Sequence, residues 1–186
     1  ALSLGMKVVG FDSAITVQNA WQLSSGVEQA DTLDQLFQRA DFVTLHVPLM
    51  EATRNIVNAD RLQLMKDGAV LVNFARDGIV DDAAAIAALD SDKLHSFVTD
   101  FPTPELIKHP KAVTLPHLGA STVEAEENCA IMIAENVKDY LENGNIRFSV
   151  NFPEARLRRL DTWRITLANA NVPNMVGQMS TCIAHA

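Results

Sequence analysis

Three polar residues in this chain have the types and spacing to act on a small anion: Arg76 in VNFARDGIVDD, Glu105 in TDFPTPE and His117 in LPHLGAS. Each stands just beyond a short apolar run of strand character. A parallel sheet would therefore bring all three to one edge, where such sheets bind ligands. A cation, a carboxylate and an imidazole converging there can orient a carboxylate substrate and move a proton at its neighbouring carbon. Taken singly, each has a plainer use. His117 fits a loop histidine with a satisfied hydrogen bond, Glu105 a cap for LIKH, and Arg76 a surface partner of Asp77 or Asp81.

The elements that must position the trio can be read from the apolar runs. KVVGF (7–11), FVTLHV (42–47), AVLVNFA (69–75), SFVTD (96–100) and AVTLP (112–116) are strand candidates, apolar enough to suggest a sheet covered on both faces. Between them, residues 32–40 place Leu33, Leu36, Phe37 and Ala40 at helical spacing behind Asp31 as the expected cap. Residues 60–66 and 82–89 suggest two further helices. Strand and helix alternate over short connections, which points to a doubly wound α/β domain. The longest helix is expected from GAST to about Leu141. Ser121 and Glu124 form its capping box, Ala130, Ile133, Ala134, Val137 and Leu141 its buried stripe, and Gly144 its stop. NFPEARLRRLD then breaks the periodicity and reads as a connector, before WRITLANANVPN restarts with a strand, a turn and the opening of a helix.

With 186 residues, 48% of them hydrophobic, the chain can bury a sizeable core. Its apolar stretches are soon interrupted by charge, short of the ~20 residues of a membrane span. A net charge of −8, with no basic run longer than RLRR (156–159), argues against a nucleic-acid partner. Cys129 and Cys182 have no metal-ligand spacing and read as free thiols in a reducing compartment, which implies the cytoplasm. No metal site is expected. The opening ALSLGM resembles the end of a helix feeding the first strand, and no export signal is evident in it. Asp12 closes that strand, where an acidic residue can hold ribose hydroxyls or simply serve its own turn. No GxGxxG precedes it, so a glycine-rich turn is expected upstream of Ala1.

GMKVVGFD, ADFVTLHVPLMEATRNIVN, MKDGAVLVNFARDGIVDD, FVTDFPTPE, LPHLGASTVEAEENC and DYLENGN followed by NFPE resemble, in this order, the NAD-dependent D-2-hydroxyacid dehydrogenases. The interval from Arg76 to Glu105 is also similar to the family's catalytic spacing. The resemblance implies a Rossmann-like doubly wound parallel sheet, incomplete at its start, with NAD as cofactor and a small 2-hydroxy acid as substrate. In those roles His117 would take the hydroxyl proton while hydride leaves the same carbon. Glu105 would hydrogen-bond the imidazole, orienting it and favouring its charged form. Arg76 would grip the substrate carboxylate with its planar fork.

The same resemblance implies a cofactor path. Asp12 would accept from the adenosine ribose, favouring NAD over its 2′-phosphorylated form. His46, Val47 and Pro48 would border adenine and ribose, with ordinary strand-end trim as the plainer reading of His46. Phe74, Ala75 and Arg76 would lie along the nicotinamide half, Asp100 at the carboxamide, and His117, Leu118, Gly119 and Ala120 would close the pocket. Two features depart from the family: Asp77 stands where glycine is common, its side chain expected to point outward, and the segment between Glu105 and His117 is short.

RITLANANVPNMVGQMSTCIAHA resembles the first strand and helix of an ACT regulatory module, a ferredoxin-like fold, here truncated. Asn171 and Pro173 match its ligand loop, which implies serine as an effector. Asn169 stands where some members have histidine, and Asn174 replaces a glycine, which the left-handed region tolerates. The expected division is residues 1–120 for the NAD-binding domain, 121–150 for the long helix and its return, 151–162 for a linker and 163–186 for the truncated regulatory module. A homo-oligomer is expected when the protein is full length, and little turnover from these residues alone. Another 2-hydroxyacid reductase and an NAD-binding corepressor-like module are the alternatives.

Overall fold

The apolar runs between turn residues form six parallel strands: β1 (Val8–Gly10), β2 (Val27–Gln29), β3 (Phe42–Leu45), β4 (Ala69–Asn73), β5 (Leu94–Thr99) and β6 (Ala112–Thr114). The computed structural model describes every residue except Asp161, Asn171 and Ala186, and the side chain of Gln18 is likewise outside it. Strands β3 to β6 make one sheet in the order β3-β4-β5-β6, and β1 and β2 make a separate parallel pair. This is the mixed α/β, Rossmann-like architecture expected from the alternation.

Helices fill the crossovers. They are α1 (Val17–Ala20), α2 (Leu33–Arg39), α3 (Ala59–Leu64), α4 (Asp82–Asp90) and α5 (Pro104–Lys108). The cap of α2 is Thr32, whose hydroxyl accepts from Gln35 N–H, and the Gln35 amide oxygen accepts in turn from Asp31 N–H. The cap thus lies one residue beyond the Asp31 expected, with the Gln35 side chain reaching back to the residue before it. At the N-terminus a single 3-10 turn, Leu2–Leu4, ends on Gly5 at φ 75 and feeds β1.

Phe37, Leu62, Leu71, Ile79, Leu89, Leu94, Phe97 and Leu106 are all exposed by 1% or less and belong to one core cluster. Each such side chain stabilises the fold by about 1.5–3 kcal/mol relative to leaving it in water. Burial alternates along β3 and β4, so one sheet face is dry. An irregularity between Ala69 and Val70 offsets the ladder, pairing Ala69 with Leu94 and Val70 with Ser96. The extra residue at the bulge is exposed His95, which lets Leu94 and Phe97 both reach the core. The other face is less covered than its apolar composition suggested: Phe42 is 58% and Val113 48% exposed.

Residues 1–118 and 119–186 are two compact units. The second is built on α6 (Val123–Asn143), capped by Thr122 rather than Ser121 and stopped at Gly144, φ 68. Its expected stripe of Ala130, Ile133, Ala134, Val137 and Leu141 is present at helical spacing, yet no residue of α6 is buried. Periodicity marks the apolar face of a helix, and the described residues of this unit leave that face largely exposed. Past Gly144 the chain turns back through an antiparallel bridge between Ile146 and Ala155, and the Arg159 and Arg164 guanidinium groups donate to the terminal carbonyls of Glu142 and Asn143. These cations satisfy orphan carbonyls at the negative end of the helix.

The strand expected in RITL does not form, because a lone strand has no ladder partner here. The helix after it does: α7 (Met175–Ala184) follows Asn174, which takes up the left-handed conformation at φ 63. Pro173 lies in the turn before it, Asn169 lies in irregular chain, and Asn171 lies outside the described residues.

Candidate active site

In the four-stranded sheet every strand runs the same way, so the residues that follow β3, β4, β5 and β6 emerge at one edge. His46 to Pro48 follow β3, Phe74 to Arg76 follow β4, Asp100 follows β5 and His117 follows β6. Asp12 follows β1 in the separate pair.

The turn bearing Arg76 is fixed from both sides. Upstream, the Asn73 side chain, 3% exposed, accepts from Ala75 N–H at 3.1 Å and donates to the Arg76 carbonyl at 2.9 Å. Downstream, Asn55 N–H donates to the Gly78 carbonyl, Val57 N–H to that of Ile79, and Asp81 N–H to that of Val57, while Ile79 and Val80 are buried. Gly78 sits at φ 74, a conformation that costs a residue with a Cβ. Arg76 itself is exposed; its Nη1 donates to the Ala75 carbonyl at 2.7 Å, and it forms no ion pair among the described residues. Its fork therefore remains available to an anion.

Asp100 and His117 meet at the same edge, with Asp100 Oδ2 2.8 Å from His117 Nδ1. A carboxylate accepts, so Nδ1 carries the hydrogen and donates, which leaves Nε2 as the nitrogen that can exchange a proton with a ligand. The ring of Phe101 lies against the imidazole, centroids 4.6 Å apart and tilted by 32°. Thr99, 1% exposed, fixes the base of this pair. Its hydroxyl accepts from Phe101 N–H and its carbonyl from Leu115 N–H. The other oxygen of Asp100, Oδ1, is buried and has no hydrogen-bond partner among the described residues.

The carboxylate on His117 is thus Asp100, where Glu105 was expected. Pro104 opens α5 immediately after its cap Thr103, which commits Glu105 to the first helical turn, exposed. No hydrogen bond or ion pair joins Glu105 to His117 among the described residues. Its charge falls instead on Asp82. Burial, reinforced by Asp77, Asp81 and Glu105, raises the Asp82 carboxyl above the ordinary range.

The remaining expected contacts are placed as follows. Asp12 is exposed, and its Oδ1 accepts from Ala14 N–H at 2.8 Å, a local turn that leaves the second oxygen outward. His46 is exposed and its Nε2 lies 3.1 Å from Thr44 Oγ1; Val47 is half-buried, and the Pro48 carbonyl accepts from Thr53 Oγ1 at 2.6 Å. Phe74 and Leu118 are exposed, 46% and 58%. Gly119 and Ala120 fall in the second unit. Thr53 and Asn73 were not picked out from the sequence. The signal for Asn73 was a polar residue at an inward-facing position of an apolar strand.

A cavity of about 530 Å³ in the second unit, lined in part by Val137, Tyr140, Arg147 and Phe148, contains none of these residues. Among the described residues no group of His, Cys, Asp and Glu is arranged to hold a metal ion, and no helix is long and apolar enough to cross a membrane.

Residues 1–119 match the family model described as D-isomer specific 2-hydroxyacid dehydrogenase, NAD binding domain. The D-3-phosphoglycerate dehydrogenase of Methanocaldococcus jannaschii is 36% identical over 174 residues, covering 89% of this chain and 33% of the relative. The hydroxypyruvate reductase of Thermotoga maritima is 38% identical over 146 residues, 74% of this chain and 46% of the relative. Among solved structures, an NAD-complexed D-isomer specific 2-hydroxyacid dehydrogenase from Lactobacillus delbrueckii ssp. bulgaricus superposes with a TM-score of 0.67 at 26% identity, covering 81% of this chain and 50% of that one. The chain therefore spans about a third to a half of the length of the proteins it matches.

Proposed function

The chain belongs to the D-isomer specific 2-hydroxyacid dehydrogenase family, an NAD-dependent oxidoreductase family, and from that premise we propose that it is the NAD-binding part of a D-3-phosphoglycerate dehydrogenase, which oxidises 3-phosphoglycerate to 3-phosphohydroxypyruvate. Several curated relatives of that name support the substrate, one of them aligned over 100% of this chain. The observation that carries the chemistry is the Asp100–His117 pair with its bare, buried Oδ1.

That oxygen fits NAD. A buried carboxylate oxygen without a donor is costly, and the carboxamide N–H of nicotinamide is a donor of the right kind at the right edge of the sheet. The outward oxygen of Asp12 would take a ribose hydroxyl. When bound, NAD supplies the hydride acceptor, and the chain's own residues do the rest. His117 Nε2 removes the proton from the substrate hydroxyl, while Asp100 holds Nδ1–H and stabilises the cation that results. Arg76 binds the substrate carboxylate in a planar fork and so orients the carbon that is oxidised. Glu105 acts in this reading through the charge at the start of α4 and α5, with Asp100 taking over its expected contact with the imidazole.

The Thermotoga maritima relative favours a second reading, a hydroxypyruvate or glyoxylate reductase on the same site. Serine as an effector of the tail, a homo-oligomeric assembly and a place in serine biosynthesis belong to the first reading. Turnover of 3-phosphoglycerate, glycerate and glycolate with NAD by the complete protein separates the two. The first reading expects 3-phosphoglycerate to give the highest kcat/KM, and a preference for an unphosphorylated acid would replace it with the second. NAD binding without turnover of any 2-hydroxy acid would remove both and favour a corepressor-like binding module.

A further inference from the structure

We propose that Asn73 is a positioning residue for Arg76, an inference that rests on the reading of Arg76 as the carboxylate-binding group. Asn73 ends β4 at the third inward position of that strand, after Ala69 and Leu71, which are 2% and 0% exposed. An apolar side chain would fill this place without any polar group to satisfy. The amide that stands there is itself 3% exposed, and both of its ends are used on one turn: Oδ1 accepts from Ala75 N–H and Nδ2 donates to the Arg76 carbonyl. No other hydrogen bond of this side chain occurs among the described residues. A buried amide satisfied wholly by the backbone of one turn selects that turn over its alternatives, because any other conformation strands a polar group in the core.

What the turn carries gives the selection its purpose. The chain beyond Gly78 is fixed without Asn73, by the bonds from Asn55 and Val57 and by buried Ile79 and Val80. Only the stretch from Phe74 to Asp77 lies between these fixed ends, and Arg76 is its one cation. Releasing the Arg76 carbonyl frees the Cα from which the guanidinium projects. A displacement of about 1 Å at such a group can cost on the order of 100-fold in rate. Asn73→Asp is nearly isosteric and makes the sharpest perturbation. It puts an acceptor where Nδ2 donates, facing the Arg76 carbonyl.

The test is a double-mutant cycle in the complete protein, with Asn73→Asp, Arg76→Ala and the pair, reading kcat/KM for the 2-hydroxy acid and the dissociation constant of NAD. Asn73→Asp is expected to lower kcat/KM by roughly 10- to 100-fold in the native background and by less than about twofold once Arg76 is alanine, since a residue acting through another has nothing left to act on. Equal losses in both backgrounds would overturn the proposal and leave Asn73 as a residue of general stability. If Arg76→Ala itself leaves kcat/KM unchanged, the proposal falls together with the role given to Arg76, and the fault lies with that role. Should Asn73→Asp fold poorly, Asn73→Ser, too short to reach the Arg76 carbonyl, takes its place in the cycle. Independently of turnover, hydrogen exchange at the Ala75 amide should quicken in either variant; an unchanged rate would show that Asn73 does not hold the turn.

Discussion

Asp100→Asn separates what the Asp100 carboxylate does for the fold from what it does for the cofactor. In the protein alone, Oδ2 is bonded to His117 Nδ1 at 2.8 Å and Oδ1 is buried without a donor. Asparagine keeps the shape, and its amide oxygen can still accept from Nδ1–H. The bond weakens from the charge-assisted range of about 1.5–3 kcal/mol to about 0.5–1.5 kcal/mol, while a bare buried charge is removed. The imidazole is 43% exposed, so solvent screens much of the ionic part of this pair. The two changes oppose one another, and the variant should fold with a stability within about 1 kcal/mol of the original. NAD binding has no such offset. The Oδ1 position becomes an NH2 group facing the carboxamide N–H, and the loss of a charged hydrogen bond of about 1.5–3 kcal/mol corresponds to roughly 10- to 150-fold weaker binding. Titration calorimetry with NAD and urea unfolding of the same samples give both numbers. The methyl-ketone analogue, 3-acetylpyridine adenine dinucleotide, lacks the donating NH2 and should lose less affinity than NAD. An NAD affinity unchanged within about twofold, with stability preserved, would refute the assignment of Oδ1 to the carboxamide.

Asp82 gives a pH dependence whose sign follows from its environment. Its carboxyl is raised in the folded chain by burial and then by Asp77, Asp81 and Glu105, so the folded state holds this proton more tightly than the unfolded one. The contribution is full below the unfolded value of about 3.9 and is lost as pH rises through the raised folded value. Asp82→Asn should therefore be more stable than the native chain at neutral pH, the gap closing in acid; urea midpoints across pH measure it, and a less stable variant at pH 7 would contradict it. In the core, Leu71 is fully buried in the second strand of the sheet, and Leu71→Ala should cost about 2–5 kcal/mol of unfolding free energy. A loss below about 1 kcal/mol would show that the sheet face is packed less tightly than its burial indicates.

The strands of the sheet were legible because runs such as AVLVN and FVTL are apolar, β-branched and bounded by turn residues. β2 escaped notice because Val27 is its single half-buried residue and Glu28 and Gln29 face solvent, so three residues carry no pattern. The starts of α2, α3, α4 and α6 were legible to within a residue, whereas α1, a single turn, went unread and α5 is capped by Thr103, two residues before the expected Glu105. Asp31 beside Thr32 and Ser121 beside Thr122 are all capable caps, and only the point where the backbone turns helical decides between neighbours. The apolar stripe of α6 was legible as a face, but what covers a face is a tertiary matter that spacing does not encode.

In the site, residue types and strand ends located Arg76 and His117, because parallel strands must deliver their following residues to one edge, while Asp100 was implied only by the family resemblance, as a contact of the carboxamide. Which carboxylate meets His117 was not legible. Asp100 follows directly on β5, whereas Glu105 is carried into the first turn of α5 by Pro104, and that choice depends on the geometry of a few loop residues. Asn73 and Thr53 were hidden for a different reason. Their part is played through backbone groups, which no sequence motif names.

The pairing of His117 with Asp100 can be read from the tautomer of the ring. With the ring nitrogens labelled with 15N, the neutral imidazole should show hydrogen on Nδ1, held by Asp100, and a bare Nε2, and Asp100→Asn should shift the population toward a mixture of the two forms. A neutral His117 that carries its hydrogen on Nε2, unaffected by Asp100→Asn, would contradict the pairing on which the proton-transfer role depends.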